Sequence, residues 1–139
     1  MAWQLLFDEL HEYDAGELGI TLPVFLRLGS DQITVTAKLD TGASHCVFER
    51  IYADALGLVL EHGHRLRIGT AVGSFVTYGH TVTLVVKGYE FEVLAYFAED
   101  YAINRNVLGR NGFLNRLQLG LLDYEGKLLL SRQADALRW

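Results

Sequence analysis

Between Gln32 and Leu39 the chain alternates without a break: Ile33, Val35, Ala37 and Leu39 fall to one side, Thr34, Thr36 and Lys38 to the other. A period of two predicts a half-buried β-strand. That strand runs straight into Asp40-Thr41-Gly42-Ala43-Ser44, where an acid and a small hydroxyl precede a glycine that can take backbone angles closed to other residues. Taken alone, Asp40 reads more readily as a turn former than as a functional acid. The rest of the chain has to choose.

The alternation recurs downstream. Ile20 to Leu28 and Gln32 to Leu39 form a hairpin across Gly29-Ser30-Asp31, with Pro23, the only proline, placed at an edge or a strand start. Cys46-Val47-Phe48 is short and apolar. Glu49 to Leu58 reads as a short helix, with Ile51, Ala55 and Leu58 inward and Gly57 near its end. Arg65 to Ile68 and Ser74 to Val86 are two strands around the small-residue tip Gly69-Thr70-Ala71-Val72-Gly73. Tyr89 to Phe97 is another strand, and Asn106 to Gly109 reads as buried. Arg110 to Leu117 reads as a second short helix, and Leu119 to Tyr124 pairs with Lys127 to Leu130. Near the N-terminus, Trp3, Leu6, Phe7 and Leu10 follow helical spacing, although Trp3 to Phe7 would also serve as an edge strand. The expected fold is mostly β, a closed or rolled sheet with one or two short helices.

A chain of 139 residues fits one domain. A net charge of −5 offers no basic footprint for nucleic acid or an anionic membrane. Cys46 is the only cysteine, which excludes an intrachain disulfide and a four-thiolate zinc site. The first residues lack a basic leader, and no stretch is long enough to span a membrane, so a cytoplasmic location is the default expectation.

Three stretches together resemble the retropepsin-like aspartic proteases, the single-lobe family that includes the retroviral enzymes. They are the hairpin into Leu39-Asp40-Thr41-Gly42-Ala43-Ser44, the glycine-bearing hairpin from Arg65 to Val82, and Asn106-Val107-Leu108-Gly109-Arg110-Asn111. The resemblance covers residues 20–130, leaving an N-terminal extension, 1–19, and a polar C-terminal tail, 131–139. It implies a retropepsin-like β-barrel and an aspartic endopeptidase without metal or organic cofactor. Peptide hydrolysis by carboxylates needs two acids sharing one proton, one acting as base on a water and the other as acid toward the carbonyl oxygen. None of Asp8, Asp14, Asp31, Asp54, Asp100, Asp123 and Asp135 precedes Thr-Gly or Ser-Gly. The second acid must come from another copy, which implies a homodimer with Asp40 contributed by each subunit.

The resemblance also assigns roles by position. Thr41 would brace the two active loops across the dimer axis, and Gly42, Ala43 and Ser44 would shape the loop. Gly109, with Leu108 and Arg110, would pack beneath it. Gly69, Thr70, Ala71, Val72 and Gly73 would form a flap over an extended peptide substrate. His45, Val47, Ile68 and Val107 would line its pockets. Viral members usually carry an acid where this chain has Ser44, and that acid pairs with the arginine matched by Arg110; here Arg110 needs another partner or a backbone carbonyl.

Other readings compete. His62-Gly63-His64 suggests a metal pair, against exposed histidines approaching a hairpin. Cys46 suggests a thiol nucleophile, against a small buried thiol beside Val47 and Phe48. At the level of function, the alternative is a non-catalytic dimer of the same fold that holds a peptide by strand addition. The intact Asp40-Thr41-Gly42 weighs against it, because a binding module has no need of paired acids.

Overall fold

Backbone pairing follows the expected alternation through most of the chain. The computed structural model describes residues 1–132; the remainder of the tail expected over 131–139, with Asp135 and Arg138, lies outside the described residues. In chain order the elements are β1 (Glu9–Glu12), β2 (Thr21–Leu28), β3 (Asp31–Leu39), β4 (Val47–Phe48), α1 (Arg50–Ala55), β5 (His64–Thr70), β6 (Gly73–Val86), β7 (Tyr89–Ala98), β8 (Val107–Leu108), β9 (Leu117–Leu122) and β10 (Lys127–Arg132).

One seven-stranded sheet has the order β2-β3-β8-β4-β7-β6-β5, and β6 also pairs with β2 through Phe25–Val85, Leu26–Leu84 and Arg27–Thr83. The sheet therefore closes on itself as a barrel, with β5 attached only to β6. Pro23 lies opposite Thr36 near the start of β2, before β6 covers the strand's second edge at Phe25, so that edge has no ladder bond there for proline to lose. A smaller sheet, β1-β10-β9, packs alongside.

Burial obeys the pleat. Leu22, Val24 and Leu26 from β2, Val35 and Ala37 from β3, and Val82, Leu84 and Val86 from β6 fill the barrel with Phe48, Phe97, Leu108 and Phe113. Their chain neighbours point the other way. Val47, Tyr96 and Val107 form a second apolar cluster on the outer face of β4, β7 and β8, with Ala43, Leu66, Ile68 and Phe75 packed against it. One face of these strands makes the core and the other makes a cleft floor.

Four local expectations need correction. Residues 1–8 form neither helix nor strand; the strand begins at Glu9 and pairs with β10, Leu10 lying opposite Leu129. Leu58 packs against the core as expected, but the fully buried residues of α1 and its C-cap are Ala53 and Leu56, while Ala55 is exposed and Ile51 half exposed. The helix starts one residue later than Glu49 and ends in a Schellman motif, with Gly57 at φ +71° and Leu58 N–H bonded to Ala53 O. Arg110 to Arg116 is a run of turns with Asn111 bridged to His45, rather than a helix, and Leu117 already belongs to β9. Gly112 takes φ +107° and its N–H donates to Asn115 Oδ1, which breaks the helical ladder before it starts. The mid-chain hairpin is tighter than expected, since pairing continues through Gly69–Ser74 to Thr70–Gly73 and leaves only Ala71 and Val72 at the tip.

Candidate active site

The Asp40 loop is held from below by β8 and the turn after it. Lys38 N–H donates to Asn106 O at 2.8 Å and Asp40 N–H to Leu108 O at 3.1 Å, so β3 delivers Asp40 in register with Val107-Leu108. Ala43 N–H closes the loop onto Asp40 O at 3.2 Å. On its far side, Arg110 N–H and Asn111 N–H donate to Ala43 O and Ser44 O, both at 2.9 Å. Such close backbone approach needs a residue without a side chain at the crossing, and Gly109 occupies it.

The Asp40 carboxylate is about one-third exposed. Its Oδ1 accepts the Gly42 N–H at 3.0 Å, which fixes the carboxylate plane by an Asx-type turn. Its Oδ2 lies 3.7 Å from Arg105 Nη2, an ion pair too long for a hydrogen bond. Thr41 is exposed, and its hydroxyl has no hydrogen-bond partner among the described residues.

Beside the loop lies a cleft of about 290 Å³. Gly42, Ala43, Ser44 and His45 form one wall, Val47 and Val107 the floor, and Leu66, Arg67, Ile68 and Gly69 of β5 the opposite wall, with Arg105 at one side. The structure thus brings His45, Val47, Ile68, Val107 and Gly69 into one hollow with the active loop. Asp40 is not in its lining but stands at its rim, in contact with Arg105. The His45 ring packs against Tyr96 in a tilted arrangement, with centroids 4.9 Å apart and ring planes at 57°. Thr70, Val72 and Gly73 face a second hollow, of about 390 Å³, against residues 102–105. Val72 is almost fully exposed at the hairpin tip. Arg105 borders both hollows.

Leu108 and Gly109 are buried beneath the loop, but the Arg110 side chain is exposed and forms no hydrogen bond or ion pair among the described residues. The partner expected for it does not appear; its backbone N–H does the bracing instead. Leu66, Arg67 and Arg105 join the cleft beyond the residues that sequence places there. Spacing could have revealed one of them: Leu66 is two positions before Ile68 in β5, so it shares a face with an expected pocket residue.

Cys46 is fully buried, with Sγ 3.7 Å from Asn111 O, and burial pushes its thiol up to about 11. A thiol held neutral in this way is a packing group, not a nucleophile. His64 lies edge-on to Tyr96 and His62 sits in the preceding 3₁₀ turn. No three His, Cys, Asp or Glu side chains gather to hold a metal among the described residues. Nor is any helix there long and apolar enough to cross a membrane.

Residues 26–121 match a family model described as aspartyl protease. Among solved structures, the chain is similar to the EIAV protease complexed with the inhibitor HBY-793, at 24% identity and a TM-score of 0.55, covering 70% of this chain and 88% of that one. A retropepsin-like aspartic protease from Rickettsia conorii is 22% identical with a TM-score of 0.61, covering 80% and 88%. The retroviral protease-like domain of Ddi1 from Leishmania major is 20% identical with a TM-score of 0.59, covering 84% and 90%. No curated protein sequence matches the chain.

Proposed function

Because the chain belongs to the aspartyl protease family, we propose that it is an aspartic endopeptidase whose active site forms between two copies, each supplying Asp40. The observation that carries this reading is the placement of one Asp-Thr-Gly loop at the rim of a cleft walled by a β-hairpin, with its carboxylate partly exposed. A single carboxylate can act as base or as acid, but peptide hydrolysis calls for both.

In the dimer, one Asp40 is ionised and takes a proton from water as that water attacks the scissile carbonyl carbon. The other Asp40 is protonated and gives its proton to the carbonyl oxygen. The resulting tetrahedral diol collapses as the Asp40 that took the water proton gives it to the amide nitrogen, the C–N bond breaks, and the other Asp40 takes a proton back from a diol hydroxyl, which restores the pair. Two carboxylates in contact hold one proton between them, the general rule for aspartic-protease dyads, so turnover is best on the acidic side of neutral. Gly42 N–H, on Oδ1, keeps each carboxylate in its orientation. The Thr41 hydroxyl, without a partner among the described residues, is placed to bond across the two-fold axis. Leu66, Ile68 and Gly69 of β5 close over an extended peptide, and Val47 and Val107 receive its side chains.

The test combines hydrolysis with assembly. Wild-type protein is incubated with a mixed peptide library, new termini are read by mass spectrometry, and mass is measured in solution. Cleavage by a dimer, lost in Asp40→Asn while the dimer persists, is expected. Retained cleavage in that variant, or cleavage by a strict monomer, would overturn the mechanism. Binding without cleavage across pH would favour a peptide-holding module instead.

A further inference from the structure

The side chains that line the cleft are unevenly charged. Arg67 and Arg105 both face it, and no acid belongs to its lining. The chain as a whole carries −5, so this local excess of cations runs against the overall balance. Arg105 has one acidic neighbour, Asp40, at 3.7 Å, and its side chain remains 39% exposed. A guanidinium offers five N–H donors in a planar fork, and here none is taken by a hydrogen bond among the described residues. Arg67 spends one donor on Ser74 Oγ at 3.1 Å and is otherwise open.

The apolar residues around these two cations are Val47 and Val107 on the floor and Leu66 and Ile68 on the β5 wall, facing Ser44 and His45 of the active loop. An apolar substrate side chain seated there would strip water from Arg105 and return nothing, because a desolvated cation needs a counter-charge or acceptors. A substrate carboxylate returns both, through a bidentate match that an amide of the same shape cannot make. Arg105 also borders the second hollow, toward the hairpin tip, so a chain laid through both hollows must pass it.

We propose that Arg105, assisted by Arg67, makes this cleft select extended peptides that carry a Glu or Asp side chain beside the scissile bond. The inference rests on the cleft being the peptide-cleaving site proposed above. Arg105 is in this sense the residue that sets specificity, and Asp40 is its resting counter-ion until substrate arrives.

The experiment uses peptide pairs that differ only by Glu or Gln, moved through each position flanking the cleaved bond. At one or more positions kcat/KM for the Glu peptide is expected to exceed that for the Gln peptide by roughly tenfold, the scale of one charge-assisted contact. The advantage shrinks as salt rises from ~0.05 to ~0.5 M. In Arg105→Gln the ratio falls to about one, and in Arg105→Lys, which keeps the charge but not the fork, a several-fold preference returns. Equal rates on both peptides, or an unchanged ratio in a folded Arg105→Gln protein, would overturn the proposal. Binding of fluorescent peptides to Asp40→Asn protein supplies a second readout, with the same Glu preference expected. Cleavage without acid preference sinks this inference and leaves the protease reading standing. Preferential binding of the Glu peptide without any cleavage by the wild type overturns the protease reading and leaves acid selection by Arg105 standing as a property of peptide binding alone.

Discussion

A side-chain carbon on Gly109 would drive into the carbonyl oxygen of His45 and stand 2.8 Å from that of Ala43. Both oxygens belong to backbone, and Ala43 O is already fixed by Arg110 N–H. Neither can rotate away as a side chain would. Gly109→Ala is therefore expected to lose about 1–3 kcal/mol, the usual cost of overpacking a rigid site, and to lower Tm by several degrees. Cleavage should fall further than stability, because the displaced oxygens lie in the active loop itself. Urea melts paired with a peptide assay check both; a variant of wild-type stability would show that the crossing has room to spare.

Asn106 and Glu49 grip each other in both directions. Glu49 N–H donates to Asn106 Oδ1 at 3.0 Å, and Asn106 Nδ2 donates to Glu49 Oε2 at 2.5 Å. Since Asn106 O also takes the Lys38 N–H, this one residue ties the end of β3 and the entry to α1 to the start of β8. Asn106→Ala strands a part-buried N–H and should cost about 1–3 kcal/mol. Glu49→Gln keeps an acceptor and should cost less than ~1 kcal/mol. Denaturant midpoints compare the two, and equal losses would mean that the carboxylate charge, not the hydrogen bond, holds the pair.

What could be read from sequence followed the pleat. Val35 and Ala37 inside, Thr34 and Thr36 outside, and Val82, Leu84 and Val86 on the inner face of β6 all obey a period of two that tertiary packing reinforces. Asp40-Thr41-Gly42 and Val107-Leu108-Gly109 were visible for the same reason, as strand ends beside required glycines. Helical phase was not legible over Glu49 to Leu58, because a six-residue helix is placed by its Schellman stop at Gly57 rather than by its own weak periodicity. Residues 110–117 misled because the Asn115 side chain competes for the Gly112 N–H, a contact that apolar spacing does not encode. The strand Glu9–Glu12 was hidden by its composition: of its four residues only Leu10 is apolar, and its partner β10 lies at the other end of the chain. Arg105 belongs to no motif, and only the fold brings it to Asp40.

Cys46 gives the protein a specific alkaline sensitivity. Burial raises its thiol from the ordinary 9.0 to about 11, so above pH 9 the unfolded chain releases a proton that the folded chain keeps. The stability tied to the neutral thiol is fully present below pH 9 and is lost as pH rises through 11. The loss should approach roughly 2–3 kcal/mol, since each tenfold difference in proton affinity between the folded and unfolded chain is worth about 1.4 kcal/mol. Cys46→Ala removes that slope while adding a pH-independent packing cost. Melts of both proteins between pH 8 and pH 11, plotted as a difference, isolate it from the tyrosines. A flat difference would mean that the thiol ionises in place.

Thr41 separates the stability of one chain from that of the pair. Its hydroxyl is exposed and bonded to nothing among the described residues, so Thr41→Val should leave the stability of a single chain within ~0.5 kcal/mol of wild type. If two such hydroxyls bond across a two-fold axis, the same change removes a symmetric pair of bonds at once. At about 0.5–1.5 kcal/mol for each bond, losing both should raise the dimer dissociation constant by roughly 5- to 150-fold. Activity would then depend steeply on protein concentration and recover when the variant is concentrated, which a damaged catalytic group would not do. Sedimentation equilibrium and a dilution series of peptide cleavage read the two effects together. A variant that dimerises like the wild type yet cleaves poorly at every concentration would place Thr41 in the chemistry instead of the interface.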